Sequence, residues 1–236
     1  MLYKGPGIYK GPGLYKGASI YNGDGVYKDG IKTPLPDHLI LCEYFDKRVG
    51  APLTSGTINS FGYDNTCPLN IAGGAPYSGS EDFIDLRYNS IDSLVQAGTF
   101  TIEYFLKVDQ LTSVEQSSPS AFVKNTGDRW IAAMAPVSNN SNLLNVWHND
   151  SSTVHSANNS TKWHHYEISV NNKRAYYFLD GIYKTDYDIT SGLIAAWFII
   201  HSQMNQRCKF RVSQVAVWDI CKHTSSFTVD YEPIAY

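Results

Sequence analysis

From residue 38 onward, short runs of apolar, β-branched and aromatic residues alternate with polar, turn-forming stretches. The runs fall at 38–45, 100–108, 129–134, 143–147, 163–170, 173–179, 182–185, 193–200 and 208–218. The run at 163–170 alternates loosely with a period of two, as a strand with one covered face does. Asp180-Gly181 separates two of them and is a strong hairpin signal, with Ile182–Thr185 as the return strand. No stretch keeps a 3.6-residue period, and the one short helix candidate is 90–96. Many short strands joined by polar turns predict an all-β domain over 38–236, as a sandwich, jelly roll or barrel.

Residues 1–31 follow a different rule. An aliphatic–tyrosine pair returns every six residues: Leu2-Tyr3, Ile8-Tyr9, Leu14-Tyr15, Ile20-Tyr21 and Val26-Tyr27. The glycines do not keep the every-third register that collagen needs, and the Gly and Pro density excludes an α-helix. Six is even, so an extended chain puts every aliphatic on one side and every tyrosine on the other. Five hexads are too few for a free-standing β-helix. One pair per hexad also buries too little to offset the backbone entropy of ordering. The arm is therefore expected to order against something else, either its own copies, as in a trimer, or another protein. Residues 32–37, with Pro34 and Pro36, form a linker.

Composition narrows the function. A net charge of −3 gives no case for nucleic acid as a partner. The longest apolar run, 193–200, is far too short to span a bilayer as a helix. Met1-Leu2-Tyr3-Lys4 leads straight into glycines without an apolar secretory core, so folding in a cytoplasm, or export by a route without a cleaved signal, is expected. Cys42, Cys67, Cys208 and Cys221 lack metal-ligand spacing and read as reduced, buried thiols.

Candidate chemistry is sparse. There is no G-x-S-x-G, P-loop or nucleotide fingerprint. Glu81 and Asp85 of "EDFID" would share a strand face about 13 Å apart, beyond the roughly 5–9.5 Å of a glycosidase pair, and Asp82 points the other way. These acids read as solvated. His164 and His165 are neighbours in a strand and face opposite ways, so they cannot share a ligand. No catalytic residue and no metal ligand is assigned. The stretch "VWHNDSSTVHSANNSTKW" reads as a polar loop.

Four motifs in order, "GTFTIEYFLKVD", "KWHHYEISV", "AYYFLDGIYK" and "RVSQVAVWDICKHTSSFTVDYEP", resemble the laminin-G-like, concanavalin-A-like jelly-roll family. The resemblance covers roughly 38–236. It implies two antiparallel sheets packed face to face, Trp163 packed beside structural histidines, and ligand sites in rim loops. Trp147, His148, Asn149 and Asp150 offer such a rim an aromatic platform with amide and carboxylate groups, as carbohydrate recognition requires. Related domains bind calcium at the rim, but no matching ligands stand out here, and no cofactor is assigned. The repeat arm, linker and jelly roll together resemble a bacteriophage virion protein such as a tail or head fibre, assembled in the host cytoplasm. In that picture the arm docks on the particle and the domain is displayed for host-surface glycan adhesion or decoration. The alternatives are a polysaccharide-degrading enzyme of the same fold and a cellular lectin-like surface module.

Overall fold

The computed structural model describes residues 26–28, 31–33, 36–50, 55–57, 61–78, 85–88, 97–110, 120–124, 130–137, 140–149, 151–157, 159–189, 197–201 and 209–234. Leu2, Tyr3, Ile8, Tyr9, Leu14, Tyr15, Ile20, Tyr21 and Asp150 lie outside them, as do the helix candidate 90–96 and Glu81 and Asp82. Among the described residues the strands are β1 (Val26–Lys28), β2 (Ile31–Thr33), β3 (Leu39–Glu43), β4 (Arg48–Gly50), β5 (Ser55–Thr57), β6 (Phe61–Asp64), β7 (Ala75–Ser78), β8 (Asp85–Tyr88) and β9 (Phe100–Gln110). They continue with β10 (Ser120–Lys124), β11 (Trp130–Val137), β12 (Asn140–His148), β13 (Ser151–Ser156), β14 (His164–Asn171), β15 (Arg174–Leu179), β16 (Ile182–Asp188), β17 (Trp197–His201) and β18 (Lys209–Trp218). No helix among the described residues is long and apolar enough to cross a membrane.

The strands form an antiparallel β-sandwich of the jelly-roll kind. One sheet runs β16-β15-β14-β9-β18-β3-β4, with β7 also pairing β18 and β6 pairing β7; the other runs β13-β12-β11-β10-β17-β8-β5. The last repeat, Val26-Tyr27, lies in β1 and pairs with β2 as a separate two-stranded hairpin, so Ile31–Thr33 carries regular structure across the arm–linker boundary. The polar stretch after Trp147 is not all loop: Ser151–Ser156 pairs with β12 in full register as an edge strand. Its Ser/Thr-rich sequence hid it, because edge pairing is backbone pairing and asks little of side chains.

Period-two alternation builds the core between the sheets. From β9 come Phe100, Ile102, Tyr104, Leu106 and Val108; from β14, Tyr166, Ile168 and Val170; from β15, Ala175, Tyr177 and Leu179. The seven-stranded sheet contributes Ala132 and Met134 from β11 and Leu144 and Val146 from β12. In β18 the inward parity switches from Phe210 and Val212 to Val215 and Val217. The ladder to β9 is irregular between Ser213 and Ala216, and Gln214 has φ 42°, so one extra residue is absorbed as a bulge.

Buried tyrosines tie the sheets together. Tyr104 OH donates to the Met134 carbonyl at 2.6 Å, and Tyr177 OH to the Trp147 carbonyl at 3.0 Å. Each places a large apolar ring in the core and satisfies its hydroxyl on the facing sheet. Two tight turns order the hairpins. Asn172 and Lys173 (φ 49° and 65°) join β14 to β15, and Asp180 and Gly181 (φ 54° and 72°) join β15 to β16. Positive φ at both central residues matches the right-handed strand twist.

Candidate functional site

The side of the nine-stranded sheet facing away from the core is also covered. Residues 219–234 cross it without forming a strand. Such a segment must find partners for its backbone groups, and side chains of the sheet supply them. Thr101 Oγ1 accepts from Lys222 N at 2.9 Å, Ser169 Oγ from His223 N at 3.3 Å, and Gln214 Oε1 from Ile234 N at 3.2 Å. The Asp180-Gly181 turn docks the middle of the segment, because the Gly181 carbonyl accepts from Phe227 N at 2.9 Å. A Cβ on Gly181 would meet the Phe227 oxygen at 2.3 Å. Val229 then packs into a small cluster with Cys67, Leu69, Ala75 and Phe105, and Trp163 packs against it.

Under this segment lies a row of buried polar side chains. Glu103 and Glu167 stand directly opposite each other on β9 and β14. Glu103 Oε1 accepts from Trp218 Nε1 at 2.7 Å and from Lys222 Nζ at 2.8 Å. Glu103 Oε2 faces His165 Nε2 at 3.2 Å. Glu167 Oε1 accepts from Ser169 Oγ at 2.7 Å and faces His223 Nδ1 at 2.8 Å. Burial alone would raise the Glu103 pKa, but the His165 hydrogen bond and the Lys222 charge outweigh it and hold the carboxyl at about 2.

A cavity of about 490 Å³ opens beside this row, within the roughly 300–1,000 Å³ of small-molecule sites. Glu103, His165 and Gln214 lie at its buried end, Trp218 and Phe227 line it, and exposed Asp230 and Glu232 stand at its mouth. Lys222 Nζ sits 4.6 Å from the centre of the Trp218 ring, and the His223 ring stacks on Phe227 at 3.6 Å. Aromatic faces, carboxylates, an amide and an ammonium group therefore share one concavity.

His164 and His165 do face apart. His165 belongs to the polar row. His164 Nδ1 lies 2.7 Å from Asp180 Oδ2 and its Nε2 lies 2.8 Å from the Asn159 carbonyl. Burial disfavours charge on His164, but these two acceptors prevail and raise its pKa. Asp180 Oδ1 also accepts from His165 N at 3.0 Å, so the hairpin turn, both histidines and the covering segment are locked together.

The rim residues sit at the other end of the sandwich edge. Trp147, His148 and Asn149 lie where β12 turns into β13, and all three are half-buried. The His148 ring stacks on Tyr187 of β16 at 3.6 Å, and Asn149 Nδ2 donates to the Asp188 carbonyl at 2.8 Å. These groups hold the edges of the two sheets together. Burial lowers the His148 pKa. The rim and the polar row do not meet in one site.

Cys42, Cys67 and Cys221 are free thiols, and Cys208 lies outside the described residues. Burial pushes the Cys42 thiol up and Cys67 to about 12, which leaves both inert. Sequence reasoning missed the polar row as a unit. Its signal was present as T-x-E on β9 and H-x-E-x-S on β14, which reads equally well as a solvent face.

No family model matches the chain, and no curated protein does. Solved structures do resemble it. A sialidase of Trypanosoma rangeli superposes with a TM-score of 0.59 at 9% identity, over 85% of this chain and 33% of that one. The binding domain of Paraclostridial Mosquitocidal Protein 1 superposes with a TM-score of 0.54 at 12% identity, over 79% of this chain and 50% of that one. The chain thus spans a third to a half of these structures, and at such identity the likeness is one of fold.

Proposed function

We propose that the chain is a non-catalytic, carbohydrate-binding structural protein of a bacteriophage virion. The 1–31 arm docks on the particle or on its own copies, and the jelly roll is displayed for attachment to host-surface glycan. The observation that carries the binding half is the cavity beside Trp218, where ring faces meet carboxylate, amide and ammonium groups. Sugar rings are bound by that combination of apolar faces and directed polar groups. The likeness in fold to a sialidase and to the binding domain of a mosquitocidal protein supports a glycan partner, without separating binding from catalysis. The six-residue ladder supports the virion half, since an arm that cannot bury its own surface is half of an interface. Many copies on one particle would turn weak single contacts into firm attachment.

The rival enzyme reading has one point in its favour. Glu103 and Glu167 form the paired carboxylates that a glycosidase of this fold would need. Against it, a general acid needs a raised pKa, and Glu103 is held at about 2 by protein donors. Glu167 is wholly buried and already engaged by Ser169 and His223.

The test is binding of the full chain to a panel of bacterial surface polysaccharides, by calorimetry and by adsorption to cells. Asp230→Asn with Glu232→Gln at the cavity mouth should weaken binding by about tenfold, on the order of 1.4 kcal/mol. Loss on His148→Ala with Asn149→Ala instead would move the glycan to the rim. Release of reducing sugar from any bound polysaccharide would replace adhesion with catalysis. For the arm, changing all five ladder tyrosines to serine in the full chain should lower the mass seen by light scattering, or abolish capture by virion proteins. If neither changes, the ladder is a spacer.

A further inference from the structure

Each glutamate of the polar row is held by one oxygen and leaves the other under-used. Glu103 Oε1 takes Trp218 and Lys222, while Oε2 has the long 3.2 Å contact with His165. Glu167 Oε1 takes Ser169 and His223, while Oε2 is buried with no hydrogen-bond partner. His165 Nδ1 is also buried without a partner. These are not surface groups that water can serve: His165 is 3% exposed and Glu167 0%. A carboxylate only accepts, so the His165–Glu103 contact puts the proton on Nε2, and in the neutral ring Nδ1 is then a lone pair. In that tautomer both orphaned atoms are acceptors, and a buried acceptor left without a donor is costly. What such a cluster lacks is a positive centre. One carboxylate oxygen from each glutamate and one ring nitrogen of His165 lie within 4.8 Å of one another, the only such metal-capable trio among the described residues.

We propose that Glu103, His165 and Glu167 bind a divalent first-row transition-metal ion, with zinc as the occupant. One imidazole with two carboxylates suits zinc, whereas calcium asks for six to eight oxygens. The outer layer that metal sites need is in place: Trp218, Lys222, Ser169 and His223 fix both carboxylates through Oε1, leaving Oε2 to the ion. The neighbouring cavity reaches Glu103 and His165, giving the ion an entry path and an open position for water or a ligand oxygen. On binding, the ion displaces the His165–Glu103 hydrogen bond. The nitrogen of His165 that ligates is the one that carries no proton. Lys222 remains on Glu103, so its positive charge keeps the affinity below that of closed structural zinc sites. None of this depends on glycan binding.

The experiment is calorimetric titration of the chelator-stripped full chain with zinc chloride, repeated with calcium chloride, together with the visible spectrum of the cobalt(II) form. One zinc per chain is expected, with no comparable calcium binding. Glu167→Gln and His165→Gln should each weaken zinc by more than about 100-fold, and Ser169→Ala by about 10–100-fold. His155→Gln, on the exposed edge strand, should change nothing. If Glu167→Gln does not fold, the cobalt spectrum of the native chain decides: intense four- or five-coordinate bands support the site. Weak six-coordinate bands overturn it. Absence of stoichiometric zinc binding, or equal binding by folded Glu167→Gln and His165→Gln, would also overturn it and leave an internal water on the orphaned atoms.

Discussion

The two faces of the nine-stranded sheet are both buried, but by opposite means. The inner face presents Ile102, Tyr104, Ile168 and Val170 to the facing sheet and is held by apolar contact. The outer face presents Thr101, Glu103, His165, Glu167 and Ser169, all buried, and is held by hydrogen bonds to a segment with no strand of its own. Alternation along a strand therefore distinguishes the faces without saying which is wet. A polar face is covered when the covering element brings the donors and acceptors that it lacks. Charge on that face also makes it brittle, since each buried charge depends on a specific partner.

The largest difference is expected between truncations at equivalent places. Glu103→Ala leaves the Lys222 ammonium and the Trp218 N–H without their acceptor. It should cost about 3–5 kcal/mol in urea unfolding, the range for breaking a buried pair. Adding Lys222→Met should recover part of that loss. Ile168→Ala on the inner face should cost about 2–5 kcal/mol as a cavity, with no partner able to rescue it. If Lys222→Met does not help Glu103→Ala, the outer face is held by packing and the contrast is lost. Next comes the turn that fastens the cover. Gly181→Ala has to bear φ 72° and a 2.3 Å approach to the Phe227 oxygen. About 1–3 kcal/mol of strain is expected, with amide exchange raised at 222–229 while the protection of β11 and β12 stays as it was.

The sequence exposed the inner face far better than the outer one. Runs of apolar, β-branched and aromatic residues located β9, β14, β15 and β18 because these residues meet one another across the core. The Asp-Gly turn was equally plain, since φ > 0 at both positions leaves few other choices. Strands such as Ser55–Thr57 and Ser151–Ser156 were not legible, because they are short and paired by backbone at sheet edges. The Gln214 bulge was written as F-x-V-x-x-V-x-V in β18, an interrupted alternation that marks an extra residue. The candidate site was legible only in pieces. The four motifs that carried the family resemblance supply Glu103, His165, Asp180-Gly181, Trp218 and Phe227, and these meet on the outer face. Their convergence depends on a segment that begins about fifty residues downstream of β14, which no local pattern reveals.

The last prediction is set by pH, to which the aliphatic side chains of the core cannot respond. Glu103 has a folded pKa of about 2 against an ordinary 4.5. Its contribution is therefore present above pH 4.5 and is lost as pH falls toward 2, on the order of 3 kcal/mol in all. The buried Asp64 carboxyl, desolvated but held by Thr66, Trp163 and Lys107, is likewise lowered to about 2 and adds to the same acid limb. His164 works in the other direction. Its folded pKa is raised by Asp180 and Asn159, so its contribution is complete below the ordinary value of 6.5 and is lost as pH climbs through the folded value. Urea midpoints measured from pH 2 to 9 should thus fall at both ends, with the shallower loss on the alkaline side. Asp180→Asn should flatten the alkaline limb and leave the acid limb in place, while Glu103→Gln should shrink the acid limb to the Asp64 share and leave the alkaline limb in place. An alkaline loss that survives Asp180→Asn would take the clasp out of the account and assign that limb to some other group.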